Sequence, residues 1–397
     1  MRSRSSHLPS ALTLASMCAF VCAASVHAQT WSTPHLVENG GGAAVSANSN
    51  GTAAVIFAGL ASVKTGGTWG APISLASGSP ASDIKVAPNG DVLAIWSFRT
   101  SNTYLPVEAQ AAFFSGGRWG PTWTITTNEF GDVYNFGPPS IAFDGDSQAT
   151  VVWEEYNGST CSVLAITGNA AAGFGSRQTV SNEASCKGWT QLAVNHSGQA
   201  VAVIGVPGIL SGPVVAISRG ADGTWSAPVT LEAQQYRQRQ PRIGLGDDGT
   251  AVAVWTQRST ASYAVRSPSG VWSAAAALPG VSAITNTSYV AVDGTGNAVV
   301  AYEQYQLPAG LLAMRRPAGG TWGTPVLLEG NGGPAGEAAT PAGSFVVASG
   351  TAVYTLLPGS SAWNKTSFSS VYKVAAAPGI AIAAVAPQVS VSTTAVP

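Results

Sequence analysis

Charge is scarce in this chain. Asp, Glu, Lys and Arg make up only 9% of its 397 residues, with 18 basic against 19 acidic. Nucleic-acid binding needs a strongly basic face or domain, so that class of function is excluded. Histidine is nearly missing. The chain has 4, and only His35 and His196 lie beyond residue 28. A His-rich zinc site is thereby excluded, and a Ser–His–Asp triad has only those two bases to draw on. Glycine and proline interrupt every window long enough for a helix. No Gly-rich phosphate loop precedes a helix, and no stretch after the first residues reaches membrane-spanning length without polar residues or glycines. No cofactor, metal or catalytic residue is therefore expected, and no membrane span.

The first 28 residues have the layout of a secretory signal peptide. Arg2 and Arg4 supply the positive start, an apolar stretch follows from about Ala11 to Ala24, and Val26-His27-Ala28 precedes Gln29 as a cleavage pattern. Cys18 and Cys22 follow Met17 and Val21, where a lipobox would carry a small residue. The mature protein is thus expected from about Gln29, secreted or periplasmic, with two cysteines, Cys161 and Cys186. In an oxidising compartment an even pair reads as a disulfide.

What the chain has in abundance is turn residues and tryptophan, with 46 Gly and 12 Trp. One pattern recurs. Two apolar strands flank a tight turn of Asn, Asp and Gly, as in IKVAPNGDVLAIW (84–96), SIAFDGDSQATVVW (140–153), QLAVNHSGQAVAVI (191–204), RIGLGDDGTAVAVW (242–255) and YVAVDGTGNAVVAY (289–302). Such runs form β-hairpins, because the turn residues tolerate positive φ. AAVSANSNGTAAVIF (43–57) is an earlier copy, and ATPAGSFVVA (339–348) and YKVAAAPGIAIAAVA (372–386) are weaker ones. A second hairpin follows each, with a Gly-rich turn leading into a Trp: VVAISRGADGTWSAPVTL (214–231), YAVRSPSGVWSAAAAL (263–278), LLAMRRPAGGTWGTPVLL (311–328) and AAFFSGGRWGPTWTI (111–125). Phe174 stands for the Trp in the copy after 140–153. Trp225, Trp272 and Trp322 are 47 and 50 residues apart.

A four-stranded unit repeated at this period predicts an all-β protein, a β-propeller of seven to eight blades with strands A to D. WSTPHLV (31–37) reads as a lone strand D, and 372–386 as a final A–B hairpin lacking strand C. Pairing these N- and C-terminal strands would close the ring. The expected domains are the signal peptide (1–28), the propeller (29–387) and a flexible tail (388–397).

This strand rhythm, with its Gly–Trp turns, resembles the BNR or sialidase-like propellers of exported bacterial proteins. That family's Asp-box places Ser, Asp, Gly and an aromatic across the C–D turn. In SRGADGTW (218–225), Ser218 and Trp225 match, Gly220 takes the Asp position and Asp222 is displaced. The family's Arg-bearing N-terminal motif is absent. The resemblance implies the fold and, less directly, glycoside hydrolysis.

In such a blade the A–B and C–D turns share one face, and the B–C and D–A loops share the other. The first face holds generic turn chemistry, including Asp144, Asp146 and His196. The second is longer-looped and richer in reactive types, so it is the expected binding face. Its candidates are Arg99, Tyr104, Tyr134, Glu155, Tyr156, Tyr236, Arg242, Arg258, Glu303 and Tyr305. Cys161 and Cys186 map to adjacent loops there. Trp96, Trp153 and Trp255 end apolar strands and read as core. The leading expectation is a non-catalytic binding module for a glycan or protein partner, since Tyr and Arg carry binding hot spots. A sialidase-like hydrolase would need an Arg cluster, with Arg99, Arg242 and Arg258 the available members, and a Tyr–Glu pair. A structural envelope scaffold is the third possibility.

Overall fold

The computed structural model describes residues 35–38, 43–57, 59–76, 81–99, 107–128, 139–156, 160–183, 189–205, 212–233, 238–257, 260–281, 288–377, 380–385 and 389–397. Every regular element among them is a β-strand. The strands form eight antiparallel sheets, each of four or five strands. Seven blades use consecutive strands. They are blade 1 (Ala44–Ser74), blade 2 (Ala81–Asn128), blade 3 (Ser140–Glu183), blade 4 (Trp189–Glu232), blade 5 (Gln238–Ala277), blade 6 (Tyr289–Glu329) and blade 7 (Pro334–Ser367). Blade 8 is composite: Val371–Ala377, Ile380–Val385 and Val389–Thr394 supply strands A to C, and His35–Glu38 supplies strand D. The expected closure by the two chain ends is therefore present. Strand A of each blade packs on the next, and blade 8 packs on blade 1.

The tail expected at 388–397 is instead structural. Val389–Thr394 is the missing strand C, paired on one side with Ile380–Val385 and on the other with His35–Glu38. Its VSVSTT pattern alternates, as a half-buried strand does. Beyond it Val396 is 2% exposed and packs with Val346, Val353 and Val374. The Pro397 carbonyl accepts hydroxyl hydrogen bonds from Thr340 and Ser344 at 3.0 and 2.9 Å.

The core is divided among the seams. Eight apolar clusters occupy the eight interfaces between neighbouring blades, for example Leu93, Ile95 and Phe113 of blade 2 against Ile141, Val151 and Trp153 of blade 3. Strand B is therefore covered on both faces. Val92 to Trp96 and Ala251 to Trp255 are all 0% exposed, and these strands read as apolar at every position. Trp96, Trp153 and Trp255 are core, as expected.

The A–B turns form a second tie between blades. Asn48 donates from Nδ2 to Ala87 O at 2.8 Å, Asn89 N to Ser147 Oγ at 3.0 Å, and Gly145 N to His196 O at 2.9 Å. Asn195 then donates to Gly246 O at 3.1 Å, Asp248 N to Gly294 O at 3.1 Å, and Gly294 N to Pro341 O at 3.1 Å. This belt runs from blade 1 to blade 7. Within each turn a side-chain oxygen holds the loop: Asp293 Oδ1 accepts from the backbone of Thr295 and Asn297, both at 2.9 Å.

If the C-terminal residues are structural, Val396→Ala should cost about 1–3 kcal/mol, and a chain ending at Gln388 should lose far more. Urea unfolding of both variants checks this; wild-type midpoints would restore the tail reading.

Candidate functional site

Strands A line the axis, and one layer of them carries unlike residues in homologous places. Ala44, Asp83, Ser140, Gln191, Arg242, Tyr289, Gly336 and Lys373 are the members. They pair across their hairpins with Ile56, Ile95, Val152, Val203, Val254, Ala301, Ala348 and Ala384. From blade 4 to blade 8 their side chains meet across the seams. Arg242 donates from Nη1 to Gln191 Oε1 at 3.0 Å, and its guanidinium lies 4.7 Å from the Tyr289 ring centre. Lys373 reaches the other side of the same tyrosine, with Nζ 5.2 Å from the ring centre and 3.4 Å from the hydroxyl.

Lys373 belongs to blade 8 and Tyr289 to blade 6, so the lysine must pass blade 7. The residue there is Gly336. A Cβ on it would lie 3.6 Å from Lys373 Cδ and 3.4 Å from Val374 N. Any longer side chain would compete for the lysine's path. Two cations thus converge on one phenol. Burial acts to raise the Tyr289 pKa, but the charges and hydrogen bonds of Lys373 and Arg242 outweigh it and hold it below the ordinary value of 10.0. For Arg242 burial is the larger effect and lowers its pKa, against the opposing influence of Tyr289. One residue past Gly336, the carboxyl oxygens of Glu337 are buried, and loss of water pushes that group well above the usual carboxylate range.

Of the residues expected from sequence, Arg242 lies in this arc. Tyr104, Tyr134, Tyr236 and Arg258 lie outside the described residues, as does Cys186. Arg99 and Tyr156 end strand B of blades 2 and 3. Glu155 is occupied structurally: its Oε2 accepts from Thr126 Oγ1 at 2.6 Å and Trp153 Nε1 at 3.2 Å, with Arg177 at 3.7 Å. Glu303 lies against Gly333, and Tyr305 is 65% exposed on the adjoining loop. Cys161 is buried and registers opposite Glu183. Gln191, Tyr289 and Lys373 are members that single-residue reading missed.

On the opposite face, A–B turns of blades 2 to 7 surround a hollow of about 260 Å³ that includes Asp144, His196 and Asp247. Its polar groups serve the turns. His196 N donates to Asp247 Oδ1 at 2.9 Å, and the imidazole covers Gly145, where a Cβ would collide with it. Asp144 Oδ1 accepts from the backbone of Asp146 and Gln148. Among the described residues no cluster of His, Cys, Asp and Glu could hold a metal ion.

In the C–D turn of blade 4, Gly220 stands where an Asp-box has its Asp. Gly220 N donates to Thr224 O at 3.0 Å, and a Cβ at Gly220 would lie 2.6 Å from Asp222 Oδ1. Arg219 instead lies 5.5 Å from the Trp225 ring centre and donates to Gly198 O at 3.0 Å. Arg266 repeats part of this: its backbone bridges that of Trp272, as Arg219 does with Trp225, and its guanidinium donates to Gly249 O at 3.0 Å.

No family model and no curated protein matches the chain. Several solved propellers share its architecture. Virginiamycin B lyase from Staphylococcus aureus is 10% identical with a TM-score of 0.47, covering 93% of this chain and 100% of that one. The polysaccharide lyase Uly1 is 12% identical with a TM-score of 0.48, covering 79% and 89%. AofleA from Arthrobotrys oligospora is 12% identical with a TM-score of 0.42, covering 75% and 88%. At these values the likeness carries no functional argument, and the strand pairing itself defines the β-propeller.

A difference titration of wild type against Tyr289→Phe, followed by phenolate absorbance, should show Tyr289 ionising below 10.0. Lys373→Met should move it upward. Because the folded pKa is the depressed one, the phenolate's stabilisation is complete only above the unfolded value and is lost as pH falls through the folded value. An unshifted midpoint in Lys373→Met would mean that the lysine does not act on the phenol.

Proposed function

We propose that the protein is an exported, non-catalytic binding module that takes a glycan or protein partner at the axial end of its B–C and D–A loop face. The observation that carries this reading is the arc of Gln191, Arg242, Tyr289 and Lys373 on the innermost strands. Four blades contribute to it, apart from the apolar seams that hold neighbouring blades together. Preformed polar groups on rigid strands suit recognition, since little ordering is required on binding. Tyr and Arg are also the types that dominate binding energy.

The test is retention of the mature protein on a glycan array and on immobilised candidate proteins. Lys373→Met and Tyr289→Phe should each weaken retention of whichever ligand binds by at least tenfold, a loss of about 1.4 kcal/mol. Unchanged retention in both variants would remove the arc from the site.

Export and a Cys161–Cys186 bridge belong to the same proposal. Glu183, the residue opposite Cys161, stands three positions before Cys186 in the sequence. The intact mass of the secreted protein should correspond to a chain starting at Gln29, and reduction should add the two thiol hydrogens. A mass retaining residues 1–28, or one unchanged by reduction, would overturn the corresponding part.

A further inference from the structure

A second concave site lies on the turn face, away from the arc, in the seam between the C–D hairpins of blades 2 and 3. It is a groove of about 560 Å³ walled by Ser115, Arg118, Pro121 and Trp123 of blade 2 and by Ala170 to Gly173 of blade 3, with Phe113 beneath. That volume falls in the range of small-molecule sites.

The groove is built around one indole. Trp123 stands four positions after the C–D Trp of its blade; in blades 1, 4, 5 and 6 the matching positions hold Ile73, Val229, Ala276 and Val326, none of them aromatic. Trp123 meets Phe174 edge to face at 6.0 Å, and Phe174 packs on Phe113 at 5.0 Å. Gly173, at φ +72°, lets the blade 3 backbone approach so closely that a Cβ there would collide with the Trp123 ring. The ring is clamped, yet the residue stays 36% exposed. Burying that remaining aromatic surface under a ligand is favourable, and holding the ring in advance removes the cost of ordering it.

The rim adds a charge. Arg118 is exposed, and among the described residues no carboxylate pairs with it. No acidic residue lines the groove. A guanidinium and a half-open indole lining one groove suit a ligand with a C–H face for the ring and a carboxylate for the fork. A sugar ring bearing a carboxylate has both, and its hydroxyls can meet the Ser115 hydroxyl and water at the rim.

We propose that this groove binds an acidic sugar unit of a glycan, stacked on Trp123 with its carboxylate on Arg118. The inference stands apart from the axial reading, because it concerns other residues on the other face.

The experiment presents the mature protein to an array of uronate- and sialate-bearing glycans, their carboxyl-methylated forms, neutral counterparts and acidic peptides. At least one acidic glycan should be retained selectively. Trp123→Ala should weaken it by tenfold or more. Arg118→Ala, which alters an exposed side chain and so tests the site even if Trp123→Ala fails to fold, should lower retention of the acid several-fold and leave the methyl ester unchanged. Lys373→Met and Tyr289→Phe should not affect this binding. Retention of no acidic glycan, equal retention by Arg118→Ala, or preference for acidic peptides would each overturn the proposal. Loss in the axial variants alone would overturn it while leaving the axial site standing.

Discussion

Every blade of this protein depends on its neighbours for cover. A single four-stranded sheet with apolar residues on both faces would leave one or both in water, and here each face is covered by the next blade around the ring. The burial that stabilises the fold is therefore distributed over eight seams of similar make-up. This constraint accounts for the composition. Strands covered on both faces have no room for charge, so charge is pushed to turns, loops and the axial wall, and little of it is needed.

The two ends of the ring treat their polar groups differently. At the A–B turns, backbone amides, Asn side chains and Asp oxygens are spent on one another and on the neighbouring turn, so even His196 and Asp247 act as parts of the belt. In the axial layer, side chains from separate blades meet with no turn to stabilise. There the positive groups of Arg242 and Lys373 share a phenol in a partly dry setting, where electrostatic interactions are felt more strongly than in water.

Much of this was legible in the sequence because each hairpin announces itself twice, by its apolar runs and by its turn residues. The ring closure followed from a lone strand at one end and a lone hairpin at the other. Val389–Thr394 escaped because VSVSTT has only two apolar residues and no Asn, Asp or Gly turn before it, and its strand character comes from the partners on either side. The axial arc escaped for another reason. Tyr289, Lys373 and Gln191 are ordinary residues one at a time. Stacked by repeat, however, RIGLGDDG, YVAVDGTG and QLAVNHSG each open on the member of one layer, so the signal was in the alignment of the copies with one another. Gly336 had no signal at all, since its part is to leave space for a lysine from the next blade. At 218–225 the departure from the Asp-box was legible too: Ser218 and Trp225 keep their places, Gly220 stands at the Asp position, and Arg219 makes the contacts around the turn.

The composite blade sets an order of events. Its outer strand, His35–Glu38, precedes the seven other blades in the chain, and its strands A to C follow them. Until Val389–Pro397 emerges, His35–Glu38 has no partner and blades 1 and 7 each present an uncovered apolar face. Exposed edges and faces of this kind invite pairing with other chains. Until blade 8 is complete the chain is thus an open arc, and Val371–Ala377, Ile380–Val385 and Val389–Thr394 act as a clasp that covers the exposed faces of blades 1 and 7.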